Sequence, residues 1–241
     1  MGLINVAFYS FVAGLSTIAG VYLVRSFGKW TRKNARYLIS LAVGVLIGNA
    51  FFHLIPESQK LTNNWSYYVI VGFFVLFLVE HFMIFHACQE EECDIHTLGA
   101  IGTFGIGFHS LVDGLVIGIG FATSFILGVL NALAVIFHEV PEGVFTYTLL
   151  IYDKVPERKT LFYSWLVALA TPFGAITSFL LIRTASESSL GVLLALAAGT
   201  FIYIGASDLI PQAHRRPNPI HAVLVLAGIG LVLLLGTFLE A

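Results

Sequence analysis

The chain has 241 residues, of which 58% are hydrophobic and only 11% charged, with a formal net charge of −2. About one quarter of a soluble globular domain is charged, so a large soluble domain is excluded. The charge balance gives no reason to expect a nucleic-acid partner. Taken in chain order, eight apolar runs read as transmembrane helices: 3–24, 38–57, 66–86, 98–120, 124–150, 161–182, 189–211 and 220–239. The first is expected to be a span and not a cleaved leader, because no basic residue precedes it and it is too long. Val6 stands where a myristoylation site needs Ser or Thr. Short connections point to a single domain over 1–241, an all-α membrane protein.

Basic residues orient the bundle. Arg25, Lys29, Arg32, Lys33 and Arg36 follow the first run, Lys154, Arg158 and Lys159 the fifth, and Arg215 and Arg216 the seventh. With strict alternation these loops share one side with 87–97, and only Lys60 and Arg183 lie opposite. The positive-inside rule then places both termini outside, extracellular or periplasmic, and the 87–97 loop in the cytoplasm.

Two internal matches relate distant spans. Phe108-His109-Ser110-Leu111-Val112-Asp113-Gly114 in the fourth run recurs as Phe137-His138-Glu139-Val140-Pro141-Glu142-Gly143 in the fifth. Gly44-x8-His53-Leu54-Ile55-Pro56 in the second recurs as Gly199-x8-Asp208-Leu209-Ile210-Pro211 in the seventh, 155 residues later. Both matches join spans that run in opposite directions. They fit an inverted repeat of three helices on each side of a central antiparallel pair, an arrangement typical of secondary transporters.

The first match carries the chemistry. His and carboxylate at i and i+4 share a helix face, about 40° apart. Asp113, Glu139 and Glu142 lie near the centres of apolar helices, where an ionised acid costs roughly 2.5–3.5 kcal/mol on insertion scales. The spans hold no Lys or Arg to offset them, so a proton or metal cation must. His109 and His138 add neutral nitrogen donors at the same depth. A mixed His, Asp and Glu set suits Zn²⁺, and also Fe²⁺ and Mn²⁺, whereas Ca²⁺ and Mg²⁺ favour oxygen alone.

Pro141 cannot donate to the carbonyl of Phe137, so a kink is expected there. Glycines 102, 105, 107, 114 and 118 permit close approach of the fourth helix to a neighbour. His53 and Glu57 at the outer end of the second run are candidates for an entrance relay, and Asp208 and His214 at the inner end of the seventh for an exit. The loop from His86 to His96 contains Cys88 and Cys93, separated by four residues, among acidic neighbours. Facing the reducing cytoplasm they are expected to be thiols, and His86, Cys88, Cys93 and His96 are candidate loop ligands for exiting metal.

FHSLVDGLVIG in the fourth run and HEVPEG in the fifth resemble the paired signatures of the ZIP (Zrt/Irt-like) metal transporters. HLIPES, ATPFGA and the Asp208-Leu-Ile-Pro stretch are similar to that family too. The resemblance implies eight spans, both termini outside, and uptake of Zn²⁺ or a related divalent metal. It implies a centre of one or two metals between the fourth and fifth helices, and movement of helices 1, 4, 5 and 6 against 2, 3, 7 and 8. His109, Asp113, His138 and Glu142 match the primary site. Glu139 matches a ligand of the secondary site, with Asp113 and Glu142 as bridges. Ser110 stands where many relatives have Asn, and Thr171 where some bacterial relatives have Glu. A weak or absent second metal follows.

The expected function is uptake of divalent metal into the cytoplasm across the cell membrane. The metal is the transported substrate, no prosthetic group is called for, and the partners are the ions, the bilayer and, as an open option, a second copy in a homodimer. No G-x4-G-K-[ST] loop occurs, so ATP drive from this chain is not expected. An intramembrane metallohydrolase is the enzyme alternative, since His138-Glu139-Val140-Pro141-Glu142 approaches H-E-x-x-H, but its fifth residue is Glu. A metal sensor without flux is the third reading.

Overall fold

The computed structural model describes residues 2–87, 95–152, 154–182, 184–214 and 218–240. The side chains of 32, 33, 80, 83–87, 95–102, 208, 212, 214, 239 and 240 lie outside this description. The described residues are helical almost throughout, with no strand. The helices are α1 (Leu3–Asn49), α2 (Ile55–Leu61), α3 (Trp65–Ala87), α4 (Ile95–Thr123), α5 (Phe125–Tyr152), α6 (Glu157–Ile182), α7 (Glu187–Tyr203), α8 (Ile210–His214) and α9 (Pro219–Glu240). Seven stretches of described residues are long and apolar enough to cross a membrane, and Trp65–Val79 of α3 is a shorter apolar helix. The protein is an all-α membrane protein.

The first two expected spans are halves of α1, Leu3–Thr31 and Asn34–Leu61, the second continuing through α2. The basic stretch between them, read from sequence as a loop, is helical except at Phe27, whose φ of −127° and ψ of 38° break the helix. The chain reverses there. The Thr31 hydroxyl donates to the carbonyls of both Phe27, at 3.0 Å, and Leu23, at 3.1 Å. Residues eight apart on a straight helix are separated by about 12 Å, so the second bond requires a turn. Arg, Lys and Trp are not helix breakers, and the charged turns of a helix can continue past the bilayer core.

Large apolar side chains point outward all round: Phe8, Phe74, Phe104, Phe145, Phe173, Leu181 and Phe238 are exposed. On a soluble protein such coverage would aggregate; here it faces hydrocarbon. The buried core runs through Leu46, Leu54, Ile117, Phe121, Leu194, Phe201 and Ile204.

Reciprocal glycines fix the helix pairs. A Cβ on Gly20 or Gly143 would collide with the backbone between α1 and α5, and one on Gly114 or Gly174 with that between α4 and α6. Gly44 and Gly228 play the same part between the second half of α1 and α9, and Gly72 and Gly199 between α3 and α7. Gly44 and Gly199 are the first residues of the two copies of the second sequence match. Each copy then forms a π-helical turn, Ala50–Leu54 or Ile204–Leu209, followed at once by Ile-Pro. A π turn holds one extra residue and often marks a functional position. The two copies thus share both a close helix contact and an uncommon backbone feature.

α5 continues through Pro141 as one helix. Gly118 of α4 packs against Ala175 and Ser178 of α6, and the Ser178 hydroxyl donates to the Leu115 carbonyl at 3.4 Å. These contacts hold α4 and α6 close beside the inward faces of α4 and α5, where the acids lie.

Candidate metal centre

Four side chains converge between α4 and α5. One ligand atom from each of His109, Asp113, His138 and Glu142 falls within a mutual 4.8 Å. Both i, i+4 pairs contribute whole, which follows from helix geometry: each pair lies on one face, and the faces oppose.

The antiparallel run of the two helices cross-pairs the copies. His138 Nε2 lies 3.0 Å from Asp113 Oδ2. His109 Nε2 lies 3.5 Å from the same oxygen and 3.7 Å from Glu142 Oε2. The imidazole rings meet edge to face, with centroids 5.8 Å apart. Asp113 is fully buried and His138 is 2% exposed, whereas His109 and Glu142 side chains are 15% and 10% exposed. The centre therefore has a sealed deep end and a more accessible rim.

Neighbouring groups orient these side chains. His138 Nδ1 donates to the Ala134 carbonyl at 3.0 Å, one turn back on α5. That bond turns Nε2 towards Asp113, as an outer partner commonly does for a metal-binding histidine. The Ser110 hydroxyl donates to Glu142 Oε1 at 2.6 Å, leaving Oε2 towards His109. Asp113 Oδ1 is buried with no hydrogen-bond partner among the described residues. A buried carboxylate oxygen without a donor fits a centre built for a cation.

Glu139 stands apart from this set. It is fully buried, and its two oxygens accept from threonines on different helices. Thr17 of α1 donates to Oε2, and Thr171 of α6 donates to Oε1, the latter at 2.7 Å. Sequence reading missed Thr17 and noted Thr171 only for the carboxylate it replaces. The signal was available, because the two threonines are 154 residues apart, within one of the repeat offset.

The peripheral candidates lie elsewhere. His53 sits in the π turn against α9, its Nε2 3.4 Å from the Val232 carbonyl oxygen. Glu57 is paired with Lys60 at 2.7 Å. Both line a cavity of about 120 Å³ that also meets Ser124, Leu127 and Leu130 at the start of α5. The side chains of Asp208, His214, His86 and His96, and all of Cys88 and Cys93, lie outside the described residues.

A polytopic helical membrane protein with a buried His/Asp/Glu cluster belongs to the class of divalent-cation-handling membrane proteins. A comparison with known families narrows this. Residues 85–236 match the model of the ZIP zinc transporter domain. The chain belongs to the ZIP family. It is 27% identical over 205 residues to the zinc transporter foi of Drosophila melanogaster, covering 80% of this chain and 28% of that protein. It is 32% identical over 143 residues to human zinc transporter ZIP4, covering 56% and 22% respectively. With zinc transporter ZIP13 of Pongo abelii it shares 25% identity over 248 residues, or 92% of this chain and 72% of that one. The chain thus spans under a third of foi and of ZIP4 and most of ZIP13.

Proposed function

We propose that the protein carries Zn²⁺, with Fe²⁺ and Mn²⁺ as competitors, across the cell membrane into the cytoplasm through the centre formed by His109, Asp113, His138 and Glu142. The observation that carries this is the convergence of two imidazoles and two carboxylates within 4.8 Å in the middle of a membrane bundle. Nitrogen donors beside carboxylates favour zinc and its neighbours over calcium or magnesium. The names of foi, ZIP4 and ZIP13 agree in metal.

The bundle has eight spans, with α3 as the third, and both termini outside. On that orientation His109 and Glu142 lie towards the cytoplasm from Asp113 and His138. Their greater exposure makes the arrangement one that opens inward. The cation is held as a tetrahedral or near-tetrahedral complex, stripped of most of its water, and leaves past the rim pair. Protons compete for the same lone pairs and so aid release. Glu139, held by Thr17 and Thr171, supports the centre from beside it, and one metal binds there. His53 and Glu57 receive metal at the outer face; Asp208 and His214, with His86, Cys88, Cys93 and His96, receive it at the inner. An intramembrane hydrolase is disfavoured, since Glu142 takes the place of the second zinc histidine and sits among the ligands.

The test is zinc flux into liposomes holding purified protein, with wild type beside Asp113→Asn and His138→Ala. Saturable entry lost in both variants is the expected result. Zinc bound by the wild type without any flux would overturn transport in favour of a sensor.

A further inference from the structure

Two amides cross between helix groups above the metal centre. Asn49, in the second half of α1, donates through Nδ2 to Asn131 Oδ1 of α5 at 2.8 Å. Asn131 Nδ2 in turn donates to the Val116 carbonyl of α4 at 3.0 Å. Both asparagines are fully buried. Asn49 Oδ1 has no hydrogen-bond partner among the described residues, so the bridge buries a polar atom unsatisfied. In a membrane interior that is costly, and an apolar pair would serve packing better.

The placement gives the bridge a purpose. Asn131 and His138 are seven residues apart on α5, which puts them on one face and about 10 Å apart along the axis. Asn131 therefore stands two turns outward of the ligands, on the face that carries them. Leu127 and Leu130, just beyond it, line the outer cavity shared with His53 and Glu57. Asn49 is also the residue that precedes the π turn Ala50–Leu54, a backbone feature frequent at functional sites. Helices α4 and α5 are bound closely to α6 and the first half of α1, while the second half of α1 is bound to α9. The amide bridge thus fastens one packed group to the other at the point that separates the outer cavity from the centre.

We propose that the Asn49–Asn131 bridge is the outer latch of the transport path: it must break for metal to pass from the outer cavity to His138 and Asp113. The inference rests on the transport reading above. A latch should be weak enough to open in each cycle, and a single neutral amide bond meets that need.

The test uses the full chain in cells with Cys88 and Cys93 kept, since on the proposed orientation both face the cytoplasm, away from an impermeant reagent, and the chain without an added cysteine sets the background. Val135→Cys is the reporter, since Val135 is fully buried between Asn131 and the centre. Ser124→Cys, in the outer cavity, is the control. A membrane-impermeant maleimide is applied from outside. Asn49→Leu should raise the labelling rate at Val135→Cys by roughly three- to tenfold, the population shift of one such bond, and leave Ser124→Cys unchanged. Should Asn49→Leu fail to reach the membrane, Asn49→Ser, too short to span the gap, carries the same expectation. An unchanged rate at Val135→Cys in a variant that still takes up zinc would overturn the latch. Absence of zinc uptake in the wild type would instead overturn the transport reading beneath it.

Discussion

The two ends of the candidate metal centre are built from the same motif and differ in depth. At the deep end His138 faces Asp113 at 3.0 Å with the imidazole fixed by the Ala134 carbonyl. At the rim His109 faces Glu142 at 3.7 Å, and the carboxylate is steadied by Ser110. Antiparallel helices cause this. The first residue of one copy meets the last residue of the other, so each end receives one histidine and one acid. The deep pair is held by backbone and excluded from water, the rim pair by a hydroxyl and more open. On the transport reading both are needed: strong ligands to displace water and weaker ones to let go.

This difference gives a ranked set of outcomes. The largest is at the deep end. Asp113→Asn or His138→Ala should lower zinc affinity by more than the ~10–100-fold that follows loss of an outer-shell partner, read by calorimetry on purified protein. At the rim, His109→Ala or Glu142→Gln should cost roughly tenfold and should speed zinc release in stopped-flow measurements, because the remaining deep ligands still hold the ion. Equal losses at both ends would remove the distinction between them.

The next effect concerns Glu139. Thr17→Val with Thr171→Val keeps the shape of both side chains and removes both donors to its carboxylate. Wild type should bind one zinc by equilibrium metal counting. The double variant should lose affinity by about an order of magnitude, the scale of a lost outer-shell contact. Two tightly bound ions in the wild type would show that Glu139 is a ligand of a second site.

Much of this centre was legible in the chain because apolar context makes each polar residue conspicuous. The i, i+4 spacing of His109 with Asp113 and of His138 with Glu142 puts four candidate ligands on two helix faces. The pairing across the copies was not legible, since it depends on the axial offset between α4 and α5. The hydroxyl donors were harder still. Thr and Ser cost little in an apolar helix and bond to their own backbone, as Thr146 and Thr148 do, so nothing local distinguishes Thr17 from them. Asn49 and Asn131 are less ordinary, and two amides in apolar runs could have been singled out. The reversal between the first two spans was read as a loop that contains Phe27; that the chain stays helical on both sides of that residue was not legible, because the basic residues around it suit helix as well as loop. The π turns have no sequence signal beyond the repeated Leu-Ile-Pro that follows them.

The smallest expected effect lies where α1 meets the start of α6, in the same helix group. Arg25 Nε is 2.7 Å from Glu157 Oε1, joining α1 to α6, and the guanidinium also lies over the Tyr22 ring, 5.7 Å from its centroid. Their side chains are 41% and 52% exposed, so water and salt screen the pair, and an exposed ion pair contributes about 0–1 kcal/mol. Glu157→Gln should therefore change zinc uptake by no more than about twofold at physiological salt, with any difference shrinking as salt rises. The pair joins two helices already held together by the close contact of Gly14 with the Ala168 backbone. A loss approaching that of His138→Ala would mean instead that α1 at Arg25 and the start of α6 must stay joined for the centre to work, and would shift the weight of the mechanism from ligand depth to helix-group rigidity.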